Sequence, residues 1–522
     1  MKRILTFLLS FVCLFACVLS AGCKKGLNAD QKDKALIIEY HKAGYGELWI
    51  QNAAAEYEKL TGTEVVLTPR SGTQGLTDMA VSLKSGVAET DLFFTANPSF
   101  DDVYRGRVIA NGKEYDTWFA DLTDLYESEI EGEGVTVKDK MFDDFEQYYK
   151  MPNDGKYYDG KYYFFPWVTG MNGFVVNMNV WKTCLGERAF PRTTDELLEI
   201  CAEVKGKTAP LIYSESDEYF SSFLPLFMNQ YEGNERMDKF YQGYGPNQED
   251  RYDTNMVRYD GFKQALIFFE KLITTEGYTH TDSSSLTFMQ MQGQFLGDKA
   301  LLNINGDWLE REMIANYPNA SIQMMKTPVL SAVADKCSFS KAENRDQILR
   351  DAIDYIDGTT SNKPADCTDV DIAYITEARK MSLVTGNSNI ALIPSYSNQI
   401  EEAKNFLRYL ASDAGMLIFR NSTNGCELPF DYTTPVENND MTEFRKSIND
   451  ALDGSAKRFV NNKDKIFASG GINVYLFNNS YGRFVKAFTS TTAKKTAEQY
   501  FNAEVSAVND RLNAAKRQAG IL

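Results

Sequence analysis

The sequence predicts an α/β protein of two lobes joined by hinge crossings around a ligand cleft, and three observations carry that expectation. The chain has 522 residues, too many for a single hydrophobic core. After a leader, its first segment reads strand, helix, strand, helix, strand with short links, the order of a parallel α/β layer. The third observation is the stretch 160–177. It opens on the aromatic run Tyr162-Tyr163-Phe164-Phe165, too apolar for a half-exposed strand, so it reads as a strand buried on both faces. Pro166 interrupts the ladder because it has no N–H to donate. Trp167 and Gly170 follow, and a second strand resumes at residues 174–176. A buried strand that stops at a proline and restarts at once suits a crossing between two lobes beside a cleft.

The elements follow in order. Residues 35–40 read as a buried strand. Ile50, Ala53, Ala54, Tyr57 and Leu60 form the apolar stripe of a core-facing helix, which Gly62 ends. Residues 63–68 are a β-branched strand. Leu76, Met79, Ala80 and Leu83 make a second helix, closed by Ser85-Gly86, and residues 91–95 a third strand. Ligands of such a layer bind beyond the carboxyl ends of its strands, here residues 41–46 and 95–98. Beyond the crossing, Thr193 or Thr194 can cap a helix with acidic residues in its first turn. Residues 211–213 and 300–305 read as strands, and 262–275 and 288–296 as helices. Residues 231–258 and 331–385 read as insertions, the second solvated and acidic with a helix near 372–383. Residues 390–394 are a buried strand. Ser397-Asn398 cap a helix with the stripe Ile400, Ala403, Phe406, Leu407 and Leu410, and 491–518 is a long helix. This places the first lobe at 35–165, the second at 166–388, a return to the first at 389–428, and the second lobe with terminal helices at 429–522.

Composition bounds the function. The net charge of −17 argues against a nucleic-acid groove or an anionic membrane surface as the main partner. Lys2-Arg3, the apolar run 4–19 and the small residues Ser20-Ala21-Gly22 read as a secretory leader over 1–22. Cys23 directly behind it resembles the lipidated cysteine of a bacterial lipobox, with 23–34 as a polar tether. Five further cysteines, Cys184, Cys201, Cys337, Cys367 and Cys426, are an odd set at irregular spacing and not a disulfide framework. Cys337 and Cys367 could pair to staple a loop, against the alternative of buried thiols. With only His41 and His280 in the chain, histidine catalysis and transition-metal sites are disfavoured, and no cofactor is expected. Gly44-Tyr45-Gly46 opens like a dinucleotide fingerprint, but its third glycine is replaced by Trp49. Gly155 to Lys161 resembles a phosphate loop, but Tyr162 and a strand follow where a hydroxyl residue and a helix are required.

Six pieces in one order bring a family with them. They are Ala55 to Val65, Thr90-Asp91-Leu92-Phe93-Phe94, Phe165-Pro166 through Val176-Asn177-Met178-Asn179, Pro191 to Leu198, Gly297-Asp298-Lys299-Ala300 through Gly306-Asp307-Trp308, and Ala403 to Leu410. Together they resemble the extracellular solute-binding proteins of bacterial ABC-type sugar importers, the class that includes maltose-binding protein. The resemblance implies the periplasmic-binding-protein-like fold, with two lobes that close on a ligand. It places ligand contacts at Lys42, Tyr45, Thr95, Asn97, Trp167, Gly170, Tyr219, Trp308 and Tyr481. Gly170 stands where the maltose-binding relative has a carboxylate, and Tyr481 where it has a tryptophan, so the identity of the sugar does not carry over.

Aromatic faces cover the C–H faces of a sugar, and polar side chains satisfy its hydroxyl rim. The expected function is therefore a non-enzymatic, lipid-anchored, monomeric protein on the outer face of the cytoplasmic membrane. It captures a carbohydrate, in this reading an oligosaccharide, and delivers it to an ABC permease. The rival readings are a binder of a peptide or polyamine, a surface glycan-active enzyme, and a ligand sensor for a receptor kinase.

Overall fold

The computed structural model describes residues 35–518 apart from 43, 88, 97–106, 152–159, 215–219, 242, 248, 250, 254, 385–388, 437–440, 453–455 and 459–480. The leader, the tether and Cys23 therefore lie outside the described residues. Its strands are β1 Leu36–Lys42, β2 Val65–Ser71, β3 Leu92–Ala96, β4 Val108–Ala110, β5 Lys113–Tyr115, β6 Phe165–Pro166, β7 Met171–Asn177, β8 Ala209–Ile212, β9 Ala300–Gly306, β10 Ile322–Met325, β11 Met381–Val384, β12 Asn389–Leu392 and β13 Ala456–Arg458.

Two sheets organise most of them, and β4 and β5 pair antiparallel as a separate two-stranded sheet. The first runs β2-β1-β3-β12-β6, with β1 parallel to β2 and β3, and β12 antiparallel to β3 and β6. The second runs β13-β11-β7-β9-β8, with β10 also pairing with β7. Each sheet has its own core. Phe93, Phe94, Trp49, Phe406 and Phe419 belong to the first lobe, and Phe174, Leu302, Phe269 and Ile353 to the second. The chain passes between the sheets from β6 to β7 and returns from β11 to β12. It passes back once more between Phe430, in the first core, and Phe444, which packs in a further cluster with Val175 of β7, Ala300 of β9 and Ile322 of β10.

The early elements form where patterning puts them. The helix Leu48–Thr61 buries Ile50, Ala53, Ala54 and Tyr57, and Gly62 closes it at φ 78°, in the left-handed region glycine adopts without strain. Leu60, expected on the core stripe, is exposed in the helix's last turn. The helix Thr194–Val204 is capped by Thr193, whose hydroxyl accepts from the Glu196 amide. Ser397 bonds Asp91, which also accepts from the Ile37 amide. That carboxyl is raised above its ordinary range by burial, against the pull of those two bonds.

Three expectations are corrected. The aromatic run before the crossing is buried at Tyr162, Tyr163 and Phe165, but only Phe165 and Pro166 are strand. Tyr162 instead stacks on Tyr126 with centroids 4.1 Å apart. β6 is an edge strand, where a missing N–H leaves no ladder bond open. Residues 231–258 carry a helix, Asn234–Tyr241, and bury Met237, Phe240, Tyr252 and Met256 in the second core. Residues 331–385 are no solvated insertion. The helices Arg345–Ile356 and Asp369–Arg379 bury Ile348, Leu349, Ile353 and Ile375, and the end of the helix expected near 372–383 is instead part of β11. Acidity is a poor guide here because the helix Arg345–Ile356 sets an apolar inner face beneath its charges, and the buried Asp371 and Arg379 are satisfied by hydrogen bonds and an ion pair.

Ile353→Ala should therefore cost about 2–5 kcal/mol in chemical denaturation, the range for emptying a packed aliphatic site. A change below about 0.5 kcal/mol would return the segment to the surface.

Candidate ligand-binding site

The end of β9 is built around an indole. Trp308 folds back over Gly306, where an added Cβ would lie 2.3 Å from the ring. On its other side stands Gly44 of the first lobe, where a Cβ would meet the Trp308 Cβ at 2.7 Å and a Glu312 carboxylate oxygen at 3.0 Å. The two glycines thus form a slot that admits a tryptophan between the lobes. Gly46, at φ 74°, faces the Arg311 guanidinium. The Gly-Tyr-Gly turn is explained by close packing across the lobes and needs no nucleotide.

Tyr45 lies inside this contact. It is 2% exposed, and its ring meets Trp308 edge-on at 6.3 Å and Trp167 at 5.7 Å. Its hydroxyl donates to Asp307 Oδ1 at 2.9 Å. The other Asp307 oxygen accepts from Arg445 Nη1 at 3.2 Å, and the Asp307 carbonyl accepts from Nη2 at 3.0 Å. Arg445 Nη2 also reaches the Cys426 sulfur at 2.9 Å. Asp307 and Arg445 are both buried. Burial, with the Asp307 charge next in weight, raises the Tyr45 phenol well above its usual range, so it stays a donor. Burial opposes the Arg445 charge, but Cys426 and Asp307 beside it hold the guanidinium protonated.

Two further carboxylates, Glu310 and Glu312, lie on the helix Leu309–Met313 directly after Trp308. Glu310 accepts from Thr442 at 2.9 Å and Glu312 from Gln292 at 3.2 Å. Burial raises both above the ordinary carboxylate range, each partly offset by its hydrogen bond. Buried side-chain atoms without a partner gather nearby: Thr169 Oγ1 on the crossing, Asn172 Oδ1 on β7 opposite Gly306, Gln292 Oε1 and Arg445 Nε. Such atoms are costly unless water or ligand completes them.

The expected contacts divide. Tyr45 and Trp308 come together, ring against ring. Lys42 pairs with Glu47 at 2.8 Å at the first lobe's surface. Thr95 is 2% exposed and bonds the Ile390 carbonyl. Trp167 is core in this structure, contrary to a cleft-wall expectation. It is 1% exposed, stacks on Trp49 at 5.1 Å and donates to the Thr95 carbonyl at 3.0 Å. Gly170 lies on the crossing at φ 61°. Tyr481 begins the helix Tyr481–Thr489, with its side chain outside the described residues, as are Asn97 and Tyr219. Asp307 and Arg445 went unnoticed in the sequence. Asp307 stood beside the noted tryptophan, whereas nothing local marks Arg445, which is brought in from 138 residues away. Among the described residues no group of acidic, histidine and cysteine side chains is placed to hold a metal, and no helix is long and apolar enough to cross a membrane.

The profile of the bacterial extracellular solute-binding proteins matches residues 43–417, more than half of the chain. The chain belongs to that family. This solute-binding protein has no match among curated protein sequences. Its fold is similar to that of a protein from a study of xylan utilization by Caldanaerobius polysaccharolyticus, at 13% identity and TM-score 0.58 over 91% of this chain and 100% of that one. It is similar to the solute-binding protein RafE in complex with raffinose, at 12% identity and TM-score 0.57 over 92% and 100%. It is also similar to an ABC transporter solute-binding protein from Thermotoga lettingae bound with α-D-tagatose, at 14% identity and TM-score 0.55 over 92% and 100%. The two-lobed solute-binding fold expected from the sequence is the one these proteins share.

Two predictions follow from the geometry of this binding protein. Asp307→Ala leaves a buried guanidinium without its counter-charge and should cost about 3–5 kcal/mol in denaturant titration. Glu312 has a raised folded pKa, so it lowers stability as pH rises from its unfolded value through that folded value. Glu312→Gln should accordingly raise Tm relative to wild type more at pH 7 than at pH 4, in melts across that range.

Proposed function

We propose that this solute-binding protein captures a carbohydrate, an oligosaccharide in the first instance, and delivers it unchanged to an ABC permease from a lipid anchor at Cys23. The observation that carries the reading is the aromatic and carboxylate constellation where the lobes meet, Tyr45 and Trp308 around Asp307. Aromatic faces beside a fixed acceptor match the apolar face and hydroxyl rim of a sugar ring. Tyr45 already makes to Asp307 the bond that a sugar hydroxyl would make. The unpartnered Thr169, Asn172 and Arg445 atoms offer further sites for hydroxyls. Sugars named with the structurally similar proteins, raffinose and tagatose, support the same class.

In this reading ligand entry separates Gly44 from Trp308 and re-forms the contact through the sugar, a shift between open and closed populations. Lys42, Thr95, Asn97, Gly170, Tyr219 and Tyr481 remain candidate contacts of the open form. Export with a lipid anchor, a monomeric state and the absence of catalysis belong to the same proposal.

The test is a thermal-shift screen of the chain from Lys24 against mono- and oligosaccharides, peptides and polyamines. A ligand at about a hundred times its Kd adds roughly 2.7 kcal/mol of stability. A saccharide hit recovered unchanged is expected. Trp308→Ala should weaken it by about 30-fold or more, the loss of an aromatic anchor worth about 2 kcal/mol. Hits confined to peptides or polyamines would overturn the sugar class, and altered ligand would overturn the binding-only reading.

A further inference from the structure

The two oxygens of the Asp307 carboxylate are held differently. Arg445, on the helix Glu443–Leu452 of the second lobe, donates to Oδ2 at 3.2 Å and to the Asp307 carbonyl at 3.0 Å. The Asp307 amide donates to the Met171 carbonyl at 2.9 Å, so this side of the residue is fixed to its own lobe. Oδ1 instead accepts from the Tyr45 hydroxyl at 2.9 Å. Tyr45 belongs to the loop after β1 and packs in the first core. Of these bonds, the one to Oδ1 alone ties that loop to the end of β9.

We propose that the Tyr45 hydroxyl is the protein's own substitute for ligand. In the empty protein it takes the place on Asp307 Oδ1 that a solute hydroxyl takes in the loaded one, latches the lobes together, and is displaced when solute binds. The latch stands on geometry, and the identity of the displacing group rests on the sugar-binding reading.

The turn is shaped to deliver the phenol. Both neighbours of Tyr45 are glycines, and both meet the second lobe without a Cβ, Gly44 at the Trp308 side chain and Gly46 at the Arg311 guanidinium. The Tyr45 ring then stands edge-on to Trp308 at 6.3 Å and to Trp167 at 5.7 Å, an aromatic of the chain itself set against two indoles. A phenol brings one hydroxyl. It satisfies Oδ1 and leaves Arg445 Nε, in the same ion pair, without a partner. A polyhydroxylated solute brings adjacent hydroxyls that both donate and accept, so it can complete the two together. That surplus is what lets such a solute win against the latch. A solute with no donor for Oδ1 would leave a buried carboxylate oxygen bare, and is rejected.

A latched empty state also lowers affinity, because the apparent Kd is the intrinsic one divided by the fraction of protein that is free to bind. Tyr45→Phe keeps the ring and removes the hydroxyl. It should move the empty protein toward the open form by about tenfold or more, the weight of a bond to a charged acceptor. A hydroxyl that served as a ligand contact would make the variant bind more weakly; a latch makes it bind more tightly.

The test labels the full chain with 5-fluorotryptophan and follows its five tryptophans by fluorine NMR in detergent, with a soluble gadolinium chelate and no solute. Trp308→Phe assigns the Trp308 resonance. Trp49 and Trp181, each 2% exposed, report that the two cores are folded. Trp308 should be relaxed weakly in the wild type and several-fold more in Tyr45→Phe, with Trp49 and Trp181 unchanged. Equal relaxation of Trp308 in the two proteins would overturn the latch. So would a wild-type Trp308 relaxed as strongly as free 5-fluorotryptophan, a result that needs no variant. The saccharide panel is then melted with both proteins. A saccharide that raises the Tm of Tyr45→Phe more than that of the wild type, each from its own baseline, supports displacement. The reverse order overturns it. A panel silent on both proteins would overturn the sugar as the displacing group, with the latch itself decided by the gadolinium result.

Discussion

Much of the arrangement where the lobes meet depends on the placement of one charge. Asp307 is buried at the end of β9, at the floor of the contact, and a buried carboxylate is tolerated only when its oxygens are bonded. The phenol of Tyr45 comes from the first lobe. The guanidinium of Arg445 comes from the helix Glu443–Leu452, just after the last crossing. One carboxylate therefore ties together the loop after β1, the end of β9 and the third passage between lobes. Such a pair is weak evidence for net stability, because desolvation offsets much of the attraction. What it supplies is geometry, since its partners come together in the approach of the two lobes.

The packing around Asp307 follows from that. The Trp308 indole can lie between the lobes only because residues 44 and 306 lack a Cβ. Replacing either glycine would push the ring away and with it the carboxylate one residue earlier. Trp167 supports the same region from behind. Its stacking on Trp49 and its bond to the Thr95 carbonyl join the crossing to the helix Leu48–Thr61 and to β3. The wall beside the crossing is thus rigid on the first-lobe side. On the second-lobe side it carries polar atoms that still lack partners.

The second lobe is larger than its sheet because helices from two stretches that read as polar pack into it. Their charged residues sit on outer faces in ion pairs such as Arg192 with Asp354 and Arg350 with Glu199. Composition averages the two faces of a helix and hides the inner one. The periodicity of Ile348, Leu349, Ala352 and Ile353 was present in the sequence, but the surrounding acidic run masked it.

The sequence by itself determined the α/β class, the order of the first five elements, the crossing at Pro166 and the tryptophan at the end of β9. These are local facts: periodicity, a glycine at a helix end, a proline in a ladder, a strand that ends in Gly-Asp-Trp. Only the tertiary structure decided that Trp167 is core and that Arg445 belongs to the site. It alone placed residues 331–385 in the packed second lobe and left Cys337 and Cys367 there as separate buried thiols. Each of those depends on residues far apart in the chain. A residue's local pattern fixes which face it turns inward, but what meets that face is decided by how the sheets and helices pack.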